Sequence, residues 1–168
     1  MNINYLNFLE IGNCSSESAI NHRVQEDIYG FCLEENELNF KTLKVKPNVN
    51  KLYCSLTETI NLDSLISLYN IIAIEYLRID AANNNYAIID QFLNSERPLS
   101  IDKIEIGYHF DKVHFEQVLL KLINSNYSLI YTGEKHFFLA NQSIPRLILK
   151  PDPLDKIFIE NIKKLENI

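Results

Sequence analysis

The fold of this chain is decided by the stretch PLSIDKIEIGYHFDKVHFEQVLLKLINSNYSLIYTGEKHFFLA, residues 98–140. Ser100 stands where a helix cap belongs, and Gly107 can adopt the left-handed conformation that ends a short helix. Asp111 is the next cap. Apolar residues then recur at three- and four-residue steps, which predicts a longer helix with the stripe Phe115, Val118, Leu119, Leu122 and Ile123.

Two segments rich in β-forming residues follow this helix, SLIYT (128–132) and KHFFLA (135–140). Gly133 and Glu134 separate them and suit a tight hairpin. Another helix is predicted before the stretch, because NNYAIIDQFLN carries an apolar stripe of Ala87, Ile88, Phe92 and Leu93. Residues 84–141 are thus predicted to form three helices followed by a hairpin.

This order of elements resembles the winged helix-turn-helix family. The resemblance implies that the third helix enters the major groove of DNA and that the hairpin touches the backbone. It implies DNA contacts by Lys112, Gln117, Lys121, Lys135 and His136. However, the third helix and the hairpin contain no arginine, the side chain that most often reads guanine. Winged helices also serve as protein-interaction modules, so the fold alone leaves both functions open.

The rest of the chain completes an α+β prediction in which all parts form one compact body. Residues 1–60 are predicted as a small antiparallel sheet with one helix at 16–29. Its strands alternate at Phe31 and Leu33, then at Leu38 and Phe40, and a third candidate covers 51–60. Residues 61–83 are predicted as a central helix and a connector, because the run at 61–80 is apolar on nearly every side.

The last segment, residues 142–168, is predicted as a short strand followed by a terminal amphipathic helix. Pro153 suits the first position of that helix. An apolar stripe runs along it, with Leu154, Ile157 (or Phe158), Ile162 and Leu165. We expect this stripe to pack on the body of the protein, and the alternative is that it joins two copies as a homodimer.

The net charge of −6 is unevenly distributed along the chain. Residues 1–97 contain 13 Asp and Glu against 7 Lys and Arg, a balance of −6, whereas the remaining 71 residues balance at 9 against 9. Such an acidic part repels phosphate backbones and attracts basic partners. A solvated face that only aids solubility stays an alternative.

Motifs for catalysis are missing from the sequence, which predicts a protein that is not an enzyme. The four histidines show no metal-ligand spacing, and the four glycines form no phosphate-binding loop. Cys54 lies in a predicted strand, where a cysteine is usually a small buried hydrophobic residue. No cofactor and no metal are therefore expected.

These features lead to two hypotheses of function. The first is a small acidic interaction protein, for instance an inhibitor or immunity protein that blocks a basic nuclease-type toxin with carboxylates in place of phosphates. Its expected contacts are Glu26, Asp27, Glu34, Glu35 and Glu37. The second is a winged-helix transcriptional regulator that binds DNA.

The expected compartment is the cytoplasm. The N-terminus shows no basic region followed by an apolar run, and no stretch is long and apolar enough to span a membrane. The three cysteines, an odd number at wide spacing, suit a reducing environment.

Overall fold

The computed structural model describes residues 4–14, 28–54, 62–81, 84–95, 97, 99–107, 112–132 and 136–141. The strands within these ranges are β1 (Tyr5–Gly12), β2 (Gly30–Glu34), β3 (Val49–Tyr53), β4 (Ala73–Asp80), β5 (Ser100–Gly107), β6 (Tyr127–Thr132) and β7 (His136–Asn141). The helices are α1 (Glu37–Thr42), α2 (Leu62–Tyr69), α3 (Asn85–Leu93) and α4 (Lys112–Asn124).

All seven of these strands belong to one sheet with the order β3-β2-β1-β4-β5-β7-β6. The strands β1 to β5 pair in parallel, and β7 pairs antiparallel with both β5 and β6. From β1 the chain first moves outward to β2 and β3, then returns to the other side of β1 with β4. The winding therefore reverses between β1 and β4, as in a Rossmann-like, doubly wound sheet.

The strand register aligns equivalent residues of the three central strands. Glu10 of β1 pairs with Arg78 of β4, which pairs with Glu105 of β5. The neighbouring residues on the opposite face are aliphatic, so one face of the central sheet is apolar and the other carries a row of charged side chains. All three charged residues are buried.

The apolar face of the sheet forms the main core with the helices. Leu9, Leu77 and Ile104 lie in the middle of this core and are 0% exposed. Ile89 of α3 and Leu122 of α4 are equally buried in the same cluster. Burial of each such side chain contributes roughly 1.5–3 kcal/mol, so this face holds the helices to the sheet.

The predicted winged-helix unit and the α+β class are wrong, because the second half of the chain belongs to the same Rossmann-like sheet. Residues 100–107, predicted as a short helix, form the strand β5. Its β-branched isoleucines favour the extended conformation, and nearly all of its residues are buried. The hairpin β6–β7 does form, but β7 pairs with β5 instead of projecting as a wing. Helices are confirmed at α3 and α4.

The predicted central helix at 61–80 is wrong in its second half. The helix α2 ends at Tyr69, Asn70 adopts a left-handed φ of 52°, and β4 starts at Ala73. The run was apolar on every side because β4 lies in the middle of the sheet, where both of its faces are covered.

The predicted N-terminal sheet is wrong in its pairing, since β1, β2 and β3 are parallel. The strand at Phe31 and Leu33 is confirmed as β2, but Leu38 and Phe40 lie in the helix α1. Asn36 caps that helix by accepting a hydrogen bond from the Asn39 backbone N–H, at 3.0 Å. The strand β1 was not predicted.

Two further predictions, the helix at 16–29 and the extension at 142–168, lie largely or wholly outside the described residues. The division of the chain at residues 60, 83 and 141 stays a prediction. Among the described helices, none has the length and apolar character needed to cross a lipid bilayer.

Candidate functional site

The candidate site lies at the carboxyl ends of β1, β2 and β4. In open α/β sheets, ligands bind outside the carboxyl ends of the strands, where the winding reverses. Here that position is the junction of β1 and β4. The residues at the strand ends are Gly12, Glu34 and Asp80, and Cys14 and Asn85 follow in the adjoining segments.

Gly12 allows the end of β1 to approach β4 closely. Its φ of +101° is a conformation that side-chain-bearing residues rarely adopt. A Cβ atom at this position would lie 2.2 Å from the carbonyl oxygen of Asp80. The next residue, Asn13, donates its backbone N–H to the same oxygen at 2.8 Å. The turn after β1 therefore requires glycine and is held against the end of β4.

Glu34, the last residue of β2, is only 1% exposed. Its carboxylate accepts backbone N–H hydrogen bonds from Cys14, at 3.0 Å, and from Asn36, at 2.9 Å. Each of its oxygens thus accepts one bond from the main chain and retains a further lone pair. The carboxylate links the turn after β1 to the turn after β2.

Asn85 joins the ends of β4 and β5. Its side-chain oxygen accepts the Ala81 backbone N–H at 2.5 Å, and its side-chain nitrogen donates to the Gly107 carbonyl at 2.7 Å. The residue is completely buried at the start of α3. The first turn of this helix is therefore fixed at the site.

Arg78 is the centre of a buried ionic network beneath these strand ends. It donates to Glu10 at 3.1 Å, to Glu105 at 3.3 Å and to Asp80 at 2.9 Å. The hydroxyl of Tyr76 also donates to Glu105. Burial alone would lower the pKa of Arg78, but the charges of Glu105, Glu10 and Asp80 outweigh it and raise that pKa, so the guanidinium stays charged.

Carboxylates exceed cations in this part of the described structure. Four carboxylates, those of Glu10, Glu34, Asp80 and Glu105, lie on or beneath the strand ends together with the single guanidinium of Arg78. The region suits a ligand with a positive charge and opposes a phosphate group. Among the described residues, no group of three or more His, Cys, Asp and Glu could hold a metal ion.

The thiols near the site are protonated and are poor nucleophiles. Cys14 donates its Sγ–H to the Leu33 carbonyl at 3.4 Å. A hydrogen bond with Cys32, burial and the charge of Glu10 raise the pKa of Cys14. Burial and the nearby Glu35 and Glu34 raise the pKa of Cys54 to about 11. Thiolates are the reactive form of cysteine, so neither of these two thiols is suited to act as a nucleophile.

Of the residues predicted for an acidic contact surface, the described ones differ in exposure. Glu34 is buried, whereas Glu35 and Glu37 are exposed. Glu37 pairs with Lys41 at 2.5 Å within α1. Glu26 and Asp27 lie outside the described residues.

The described residues among those predicted for DNA contact lie on α4 and β7. Gln117 is exposed on α4, and Lys121 pairs with Asp90 of α3 at 2.7 Å. Lys112 is the first residue of α4 and His136 the first of β7. Lys135 lies outside the described residues. Without a winged helix, the resemblance no longer supports a role for them.

The residues that build this site were not predicted from the sequence, namely Glu10, Gly12, Arg78, Asp80 and Asn85. A usable signal was present in YLNFLEIGN (5–13), an apolar run of strand length that ends with a glycine. The similar run at 73–80 ends in Asp80. Two buried strands that each end in polar residues predict that their carboxyl ends lie side by side and form a ligand-binding site.

No protein-family model and no curated protein matches the sequence. Among solved structures, the chain is similar to M. capricolum TrmK in complex with the natural cofactor product S-adenosyl-homocysteine. The sequences are 13% identical, the TM-score is 0.47, and the alignment covers 96% of this chain and 78% of TrmK. With this Rossmann-like sheet, the predictions of an immunity protein, of a winged-helix regulator and of a chain without enzymatic activity are wrong. The regulator was predicted from a winged-helix unit that does not form, whereas the other two predictions rested on the acidic balance and on the missing catalytic motifs.

Proposed function

We propose that this protein binds S-adenosylmethionine at the carboxyl ends of β1, β2 and β4 and acts as a methyltransferase. S-adenosyl-homocysteine, the ligand in the TrmK structure, is what this cofactor becomes after it gives up its methyl group.

The observation that supports the proposal is the excess of carboxylates where the winding of the sheet reverses. Four carboxylates and one guanidinium leave this region negative. A sulfonium ion is positive and contains no phosphate, so it is attracted where a phosphorylated ligand is repelled. The charge therefore favours this cofactor over adenosine-containing ligands that carry phosphate.

A dinucleotide fits the same part of the chain poorly. Dinucleotide-binding sheets use the sequence GxGxxG after the first strand, because the second glycine lets the backbone approach the pyrophosphate. Here the first glycine is Gly12, but Cys14 takes the second position and Glu17 the third. Cys14 is buried with its side chain against β2.

The described residues fit the cofactor in charge. Glu34 would accept hydrogen bonds from the ribose hydroxyls, and Asp80 would attract the positive sulfonium. Glu34 is covered by the Cys14 backbone, so a ribose reaches it only after the bond from the Cys14 N–H opens. The bound cofactor supplies an electrophilic methyl group.

Isothermal titration calorimetry with S-adenosyl-homocysteine tests the proposal. We expect saturable binding to the natural chain and at least about tenfold weaker binding to Glu34→Gln, because a carboxylate accepts hydrogen bonds more strongly than an amide does. Glu37→Gln is the matched control, since Glu37 is an exposed carboxylate on the neighbouring helix α1.

Two results would contradict the proposal. One is the absence of heat and of thermal stabilisation at millimolar S-adenosyl-homocysteine. The other is equal binding to the natural chain and to both variants, which would mean that the ligand binds elsewhere. Circular dichroism of Glu34→Gln distinguishes lost contacts from lost folding.

A further inference from the structure

An exposed aliphatic surface lies at the β6 edge of the sheet. It consists of Leu120 and Ile123 on α4 and of Leu129 on β6, and we call it the α4–β6 surface. Their exposed fractions are 60%, 47% and 40%. These values are high for large aliphatic side chains that follow one another along a helix and the next strand.

The position of α4 shows that Leu120 and Ile123 lie on its outer flank. Val118 and Leu122 of this helix are buried against the sheet. Lys121 lies on the flank towards α3, where it pairs with Asp90. By the helical period of 3.6 residues, Ile123 lies on the flank away from α3, and Leu120 lies next to it on the side that faces away from the sheet.

The strand beside this flank ends the sheet. Among the described strands, β6 pairs with β7 only. Leu129 pairs with Leu139, which belongs to the core under α4, so Leu129 lies on the same face of the sheet as the helix. Proteins usually cover or charge such an edge, because exposed apolar edge strands associate with other chains.

The chain itself continues from a point beside this surface. Asn141, the last residue of β7, pairs with Tyr127, which comes three residues after the end of α4. Asn141 and Tyr127 both donate hydrogen bonds to the Ile101 carbonyl, at 3.2 and 2.8 Å. The segment 142–168 therefore leaves the sheet next to the carboxyl end of α4.

The length and pattern of this segment match the surface. The apolar stripe from Leu154 to Leu165 would extend over about 17 Å as a helix, and α4 is about 20 Å long. The connection 142–152 can extend over about 36 Å at most, which is more than the length of α4.

From these observations we infer that residues 153–168 form a helix whose stripe packs on the α4–β6 surface of the same chain. A connection of 11 residues (142–152) keeps the segment at a high effective concentration near the surface, which favours this contact over one with a second copy. The inference does not depend on the proposed methyltransferase function.

Tryptophan fluorescence of the full chain tests this inference, because the natural sequence contains no Trp. Leu120→Trp places one fluorophore in the surface. Leu68→Trp is the matched control, since Leu68 is an exposed leucine of a different helix, α2. We expect emission at shorter wavelength and several-fold weaker acrylamide quenching for Leu120→Trp.

Further substitutions in the same chain then test whether residues 153–168 are what covers the surface. Adding Ile157→Asp and Ile162→Asp to Leu120→Trp should shift the emission to longer wavelength and raise quenching to the level of Leu68→Trp. Adding Asn167→Asp, a change on the side of the helix opposite the stripe, should have no effect. The same additions should leave Leu68→Trp unchanged.

Three outcomes would overturn the inference. The first is equal quenching of Leu120→Trp and Leu68→Trp in the otherwise natural chain. The second is protection of Leu120→Trp that persists after both stripe substitutions. The third is protection that disappears on dilution, which would identify a second copy of the chain as the occupant.

Discussion

At the scale of single residues, Arg78 determines the character of the sheet interior. Its guanidinium is buried and bridges carboxylates from β1, β4 and β5. An arginine can do this because its donors are fixed in a plane and it stays charged. The network connects three neighbouring strands on the charged face of the sheet, where Glu10, Arg78 and Glu105 are buried.

We predict that Arg78→Met lowers the free energy of unfolding by about 3–5 kcal/mol, because it leaves buried carboxylates without their cation. Urea denaturation at neutral pH measures this change. Lys41→Met is the control, since it removes only the exposed pair with Glu37 and should cost at most about 1 kcal/mol. A loss from Arg78→Met no larger than the control would contradict the stabilising role of the network.

At the scale of elements, local patterns predicted the helices that have one solvent-facing side. The helices α3 and α4 were predicted because their apolar residues follow the helical period. The hairpin β6–β7 was predicted because β-forming residues flank Gly133 and Glu134. The strands β4 and β5 were predicted as helices. Both are covered on two faces, so their apolar residues show no alternation that distinguishes a strand from a buried helix.

The boundary between α2 and β4 gives a prediction at this scale. Asn70 ends α2 with a φ of 52°, which costs an alanine about 1–2 kcal/mol and costs glycine little. We expect Asn70→Ala to unfold at a lower urea concentration than Asn70→Gly. Both substitutions remove the exposed hydrogen bond to Asn4, so their difference reports the backbone alone. Equal stability of the two variants would contradict the prediction.

At the scale of the whole molecule, the local sequence patterns could not predict the order of the strands in the sheet. The site depends on the pairing of β1 with β4, which are separated by about sixty residues in the chain. Nothing local in Glu10 indicates that Arg78 will lie beside it. Of the sequence observations, only the excess of acidic residues in the first 97 residues agrees with the site, which contains Glu10, Glu34 and Asp80.

The single sheet predicts how separate parts of the chain behave. A winged-helix unit at 84–141 would fold by itself, but in this structure β5 depends on its pairing with β4. We therefore expect a peptide of residues 84–141 to show no cooperative thermal transition by circular dichroism. The full chain should unfold in one transition. A cooperatively folded peptide would show that the second half is an independent domain.

The place of β7 between β5 and β6 has a consequence for synthesis on the ribosome. The strand β6 emerges earlier, but its described neighbour in the sheet is β7, so it has no position to occupy until residues 136–141 have left the exit tunnel. Until then the edge of β5 that will pair with β7 has unpaired backbone N–H and C=O groups. A nascent chain that pauses before residues 136–141 have left the tunnel is thus the form most prone to aggregate, and the form that chaperones would be needed to hold.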